Sequence, residues 1–157
     1  MPITVLTPPL APRTGAHFTA ARLGSFRELD RYALELPALG RTLRGKAFLK
    51  DALGLTGMEV SATCLPAGGE TPVAHHHQDH EELYLFVQGR GQMQVDGEFF
   101  EVEEGSAVRV AAGGVRAIRA SASEPVVFLC VQARESSMPT AEAYTDGVVD
   151  GKPSWPR

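Results

Sequence analysis

Cysteine is scarce in this chain: Cys64 and Cys130 are the only two in 157 residues. Two thiols cannot supply a disulfide framework, and each lies in an apolar run, at 62–65 and 126–131, where free cysteine behaves as a small buried hydrophobe. Positive charge is also short. Fifteen Lys and Arg stand against nineteen Asp and Glu, a formal net charge of −4, and the basic residues are scattered rather than clustered. This argues against nucleic-acid binding, which draws on grouped cations. No run of about eighteen apolar residues exists to span a bilayer. The start, Met1-Pro2-Ile3-Thr4-Val5, has no basic region leading into an apolar stretch, so a cytoplasmic location is expected. What remains is ordinary for a packed domain: 43% hydrophobic and 22% charged residues, in a length that suits a single domain.

Three regions separate by pattern. Residues 1–55 read as an N-terminal arm, proline-rich at its start, with a short helix and a first strand. Phe26, Leu29, Ala33 and Leu36 recur at helical spacing there, and the arm is expected to cover a sheet edge or a partner subunit. Residues 56–135 consist of short apolar runs punctuated by turn residues, the pattern of an all-β sandwich or barrel. Strands are expected at 58–65, 82–88, 91–95, 98–102, 107–110, 115–120 and 126–133. The clearest hairpin turns at Asp96-Gly97, a pair suited to the positive φ angles of a two-residue turn. Pro125 should mark a strand boundary, because it cannot donate to a ladder. Residues 136–157 read as a tail, with Trp155 expected to anchor it on the domain surface or on a neighbouring subunit.

Chemistry concentrates in one place. Four of the five histidines, His75, His76, His77 and His80, fall within six residues. On extended backbone side chains alternate, so His75 and His77 share a face and His76 points away. A strand beginning at Glu82 carries Tyr84 and Phe86 on the same face, with Leu83, Leu85 and Val87 opposite. Two imidazoles and a carboxylate form a mixed N/O set suited to a first-row divalent ion such as Zn, Fe, Mn, Ni or Cu, without selecting one. His17 has no ligand-type neighbour and should be exposed. Glu81 should face solvent.

The spacing Gly69, five residues, His75-x-His77, four residues, Glu82, six residues, Gly89 matches the first motif of the cupins. Gly105, five residues, Ala111-x-Gly113-x-x-Arg116 resembles their second motif in part. Over about residues 56–133 the chain thus resembles the small single-domain cupins of bacteria. The resemblance implies a double-stranded β-helix, or jelly-roll barrel, holding metal or ligand inside. It also implies that His75, His77 and Glu82 are the metal ligands. Cupins commonly have Pro at the position of Ala111, Asn at that of Ala120, and His, usually the fourth ligand, at that of Arg116. Arginine stays protonated and offers only donors, so it cannot coordinate.

Arg116 has three possible fates: an inward pair with Glu82, an outward pair with Glu101, Glu103 or Glu104, or a clamp for a ligand carboxylate or phosphate. At about 4 Å and an effective dielectric near 20 the inward pair is worth roughly 4 kcal/mol before desolvation. It should largely exclude a tightly held dication. Tyr84 and Phe86 are candidate ligand contacts beside it. Three functions remain open: a divalent-metal centre with or without turnover, a metal-free module that binds or senses a small anionic ligand, and metal-free acid–base catalysis on a sugar derivative. The resemblance allows dioxygenases, isomerases, decarboxylases and lyases alike, and adds a homodimer, as small jelly rolls of this family commonly pair.

Overall fold

The chain reverses at Asp96 and Gly97, both at positive φ (50° and 88°), and Val95 pairs with Glu98 across the turn. That hairpin fixes the register of one sheet. The structure is a computed structural model describing residues 4–5, 10–138 and 145–156. Its strands are β1 (Thr4–Val5), β2 (Arg13–Thr14), β3 (Thr19–Ala20), β4 (Ala33–Leu36), β5 (Arg41–Arg44), β6 (Lys46–Phe48), β7 (Glu59–Leu65), β8 (His80–Gln88), β9 (Arg90–Val95), β10 (Glu98–Glu103), β11 (Ala107–Val110), β12 (Arg116–Ala120) and β13 (Val126–Arg134). A five-stranded sheet runs β11-β8-β13-β7-β6 and a three-stranded sheet runs β10-β9-β12. Beside β12, Glu70 bridges to Arg119 and His75 to Arg116, with a bend at residues 72–73 between the two bridges.

The two inner faces share one core: Leu65, Tyr84, Phe86, Val126, Phe128 and Cys130 from the larger sheet meet Met93, Val102, Ile118 and Ala120 from the smaller, with Val110 alongside. This is an all-β jelly roll. Each large apolar side chain fully buried there contributes roughly 1.5–3 kcal/mol. On the outer side of the larger sheet, Leu29, Tyr32, Ala47 and Ala62 form a second cluster, with Leu10, Leu23, Phe26, Cys64 and Leu129 against it.

The arm departs from its helical pattern. Phe26–Arg31 is a 3-10 helix, and the chain leaves it as strand β4, paired antiparallel with β5. Ala33, Leu34 and Leu36 are all buried, and pairing overrides the three- and four-residue spacing because adjacent Ala33 and Leu34 both find partners. β6 joins the larger sheet alongside β7. Pro125 directly precedes β13, and its carbonyl packs where a Cβ on Gly89, at φ 75°, would stand. Trp155 does not anchor the tail on the domain: it is 82% exposed, like its neighbours in 145–156. Among the described residues no helix is long and apolar enough to cross a membrane.

Candidate metal centre

β12 positions the histidines. Backbone bonds run both ways between His75 and Arg116 (3.2 and 3.0 Å), and Gly113 N–H donates to the His77 carbonyl at 2.8 Å. The segment is therefore extended at 75–77, and alternation turns His75 and His77 to one side. Their rings lie 5.4 Å apart, nearly perpendicular. β8 supplies the third member: Glu82, Tyr84 and Phe86 are buried while Leu83, Leu85 and Val87 are more exposed. One ligand atom each from His75, His77 and Glu82 lies within 4.8 Å of the others.

Glu82 is 5% exposed and Arg116 2%. The guanidinium Nη2 donates to Glu82 Oε2, as does the Tyr84 hydroxyl. Arg116 Nε donates to the Tyr84 oxygen (3.2 Å), and Nη1 to the carbonyls of His75 (3.0 Å) and Gly114 (3.4 Å). Arg116 thus takes the inward course, with no outward pair to Glu101, Glu103 or Glu104. The carboxylate is divided, however: Oε1 faces His77 Nε2 at 3.1 Å. The guanidinium therefore occupies one oxygen and leaves the other aimed at the histidines, so the pair and a bound dication exclude each other less than charge alone implies.

Tyr84 and Phe86 both face the core. Tyr84's hydroxyl belongs to the Glu82 network, while Phe86 is 2% exposed and packs on Phe128 with ring centres 5.5 Å apart. His76 is exposed. His80 is exposed, its ring 6.1 Å from that of His77 and its Nδ1 3.0 Å from Gln132 Nε2. Glu81 is held by Arg109, which also bonds Glu135 at 2.6 Å.

Burial, then the Arg116 charge, pull His75 down to about 4 against the pull of Glu82. His77 is also lowered, mainly by burial, with Glu82 opposing. Burial would raise Glu82, but the Tyr84 hydrogen bond and the guanidinium outweigh it and hold the carboxyl below its usual range. Cys130 is pushed up to about 12, chiefly by burial and then by the Glu82 charge. Near neutrality the site thus holds two neutral imidazoles, that of His77 donating its Nε2–H to Glu82 Oε1, together with one carboxylate, one guanidinium and a protonated thiol. Two nitrogens and one oxygen converging on a point fit three positions of a divalent ion.

The same shifts set a pH dependence. The folded site disfavours protonated His75, so between pH 6.5 and about 4 the unfolded chain binds more protons and stability is lost as the pH is lowered. Above pH 6.5 that contribution is complete; Glu82 adds its own loss at lower pH. Urea midpoints are expected to be level from pH 8 to 7 and to fall below 6.5, less steeply in His75→Gln. A flat profile from pH 7 to 4 would contradict the assigned environment.

A jelly roll carrying a His-x-His beside a buried Glu is the arrangement that the cupin resemblance leads one to expect. The family model for the cupin domain matches residues 62–132, and the chain belongs to the cupin superfamily. A crystal structure of a cupin protein from Bacteroides fragilis is similar at 41% identity and TM-score 0.63, over 66% of this chain and 87% of that one. A curated relative, an uncharacterized protein of Methanocaldococcus jannaschii, is 33% identical over 66 residues, 42% of this chain. The chain spans about half, 52%, of that relative's length. A putative sugar phosphate isomerase from Acidithiobacillus ferrooxidans superposes with TM-score 0.52 at 23% identity, covering 57% of this chain and 58% of that one. That likeness shows the fold alone.

Proposed function

We propose that this cupin binds one divalent first-row metal ion through His75, His77 and Glu82, and that the positions left open take a small anionic ligand. The observation carrying this reading is the divided carboxylate: Arg116 and Tyr84 fix Oε2 and so aim Oε1 at His77. Arg116 and Tyr84 then act as positioning residues behind the ligand set. When bound, the ion would supply Lewis acidity and lower the pKa of coordinated water.

Charge argues for the anion. Glu82 and Arg116 cancel and the histidines are neutral, so a dication leaves two positive charges uncompensated at a site whose carboxylate and guanidinium are buried. An anionic ligand restores the balance. The Arg116 nitrogens are already engaged by protein oxygens, so the ligand's negative group must find other donors. Whether turnover follows depends on the ligand; the donor set suits binding and catalysis equally.

Equilibrium dialysis against Mn, Zn, Fe or Ni tests the reading. The native chain is expected to take up close to one ion and His77→Ala almost none. Equal uptake by both would overturn it, and no uptake by the native chain would leave the metal-free module.

The chain is also proposed to form a homodimer. Leu83 is exposed on the outer face of β8, and Val60 and Val131 beside it are only half-buried, outside the part of the sheet that the arm covers. Light scattering is expected to give twice the chain mass of 16.8 kDa; the single mass at micromolar concentration would remove the proposal.

A further inference from the structure

The inner face of the larger sheet is polar at its β6 edge. Ala47 and Ala62 belong to the outer cluster, so alternation turns Lys46 and Phe48 on β6, and Ser61 and Thr63 on β7, toward the barrel interior. Register places Lys46 directly opposite Thr63, and Phe48 opposite Ser61, which is followed across the sheet by Cys130 and Tyr84. Directly opposite residues on one face are neighbours. Lys46 and Thr63 therefore stand together inside the barrel.

Two features of this pair call for a ligand. Thr63 is 5% exposed, and its hydroxyl Oγ1 has no hydrogen-bond partner among the described residues. A buried polar atom left unpaired is costly, and native proteins seldom keep one without a use. Lys46, half-buried, sits 4.9 Å from the centre of the Phe48 ring, and no carboxylate among the described residues pairs with it. Its charge reaches both His75 and Cys130, which places the ammonium on the metal-centre side of the interior.

We infer that Lys46 and Thr63, with Ser61 beside them, form an oxyanion subsite that receives the carboxylate or phosphate group of a small ligand inside the barrel. Lys46 supplies the charge that Arg116, locked on Glu82, cannot offer, and the Thr63 hydroxyl donates to one oxyanion oxygen. The inference deepens the proposed function by naming where the ligand's negative group is held. It does not require the ion: the subsite is built of protein groups alone.

The experiment titrates the full-length protein with malonate and, separately, with inorganic phosphate, with and without the metal, following binding by calorimetry. Native protein is expected to bind one of the two, which identifies the oxyanion as carboxylate or phosphate. Lys46→Met is expected to weaken it at least tenfold, Lys46→Arg to stay within about threefold of native, and Thr63→Val to weaken it several-fold. Metal uptake in Lys46→Arg and Thr63→Val should stay within twofold of native, and Lys46→Met should not lose it. Thr63→Val should also raise the melting temperature without ligand, because it removes the unpaired hydroxyl; this readout shows that the variant folds. Native affinity for the probe in both Lys46→Met and Thr63→Val would overturn the subsite, as would metal uptake with no binding of either probe. Probe binding that depends on Lys46 in a protein that takes up no metal would keep the subsite and remove the metal.

Discussion

Replacing Arg116 with methionine is expected to cost about 3–5 kcal/mol of folding stability, the usual consequence of stripping one partner from a buried ion pair. Both members of the pair are almost wholly enclosed. Without the guanidinium, Glu82 keeps Tyr84 and His77 but has no cation against its charge, and its carboxyl should titrate upward as burial takes over. The loss belongs to the stranded carboxylate more than to the pair itself. The double variant Arg116→Met with Glu82→Gln should therefore be less destabilised than the sum of the singles by about 1–3 kcal/mol. Chemical denaturation at pH 7 reads all four states. Additive losses would mean that the two side chains do not share a local environment.

Arg116→His is expected to change metal binding in the opposite sense. It removes a buried positive charge and returns an imidazole to the position where cupins commonly place their fourth ligand. Each tenfold in affinity is about 1.4 kcal/mol, and removing a cation beside a dication is worth at least that much at effective dielectrics near 20. Metal affinity should rise at least tenfold, and the anion should matter less to it, because one positive charge is gone. Unchanged or weaker binding would show that Arg116 does not set the charge of the site.

Much of the barrel was legible in the sequence because its strands announce themselves locally. Asp96-Gly97 dictates a hairpin, and the seven expected strands are found as β7–β13, with ends shifted by up to two residues. The alternation from Glu82 to Val87 sorted that strand into its two faces. Spacing alone brought His75, His77 and Glu82 together, since a strand and a turn are enough to align them. What escaped was set by pairing over long sequence distances. Residues 69–75 carry no strand pattern, yet bridges from Glu70 and His75 tie the segment to β12. The direction of Arg116 depended on whether Glu82 or the acidic surface won the guanidinium, and only the fold decides that.

Lys46 escaped for a related reason. β6 is three residues long, too short for alternation to show, and its inward face is defined only by its register against Thr63 and Ser61. The unpaired hydroxyl of Thr63 has no sequence signal at all. In the arm, a run of apolar residues at helical spacing became a 3-10 turn and a strand, because β5 offered Ala33 to Leu36 a ladder that a helix would have forgone.

The central claim is that one carboxylate serves two masters: Oε2 holds Arg116 and Tyr84, and Oε1 completes a three-ligand metal centre with His75 and His77. The most direct measurement is an anomalous difference map from crystals grown with one equivalent of Mn or Zn. The account predicts a single strong peak between His75, His77 and Glu82 Oε1, with Arg116 still on Oε2. The absence of a peak there, or a peak reached only with Arg116 swung away from Glu82, would contradict it.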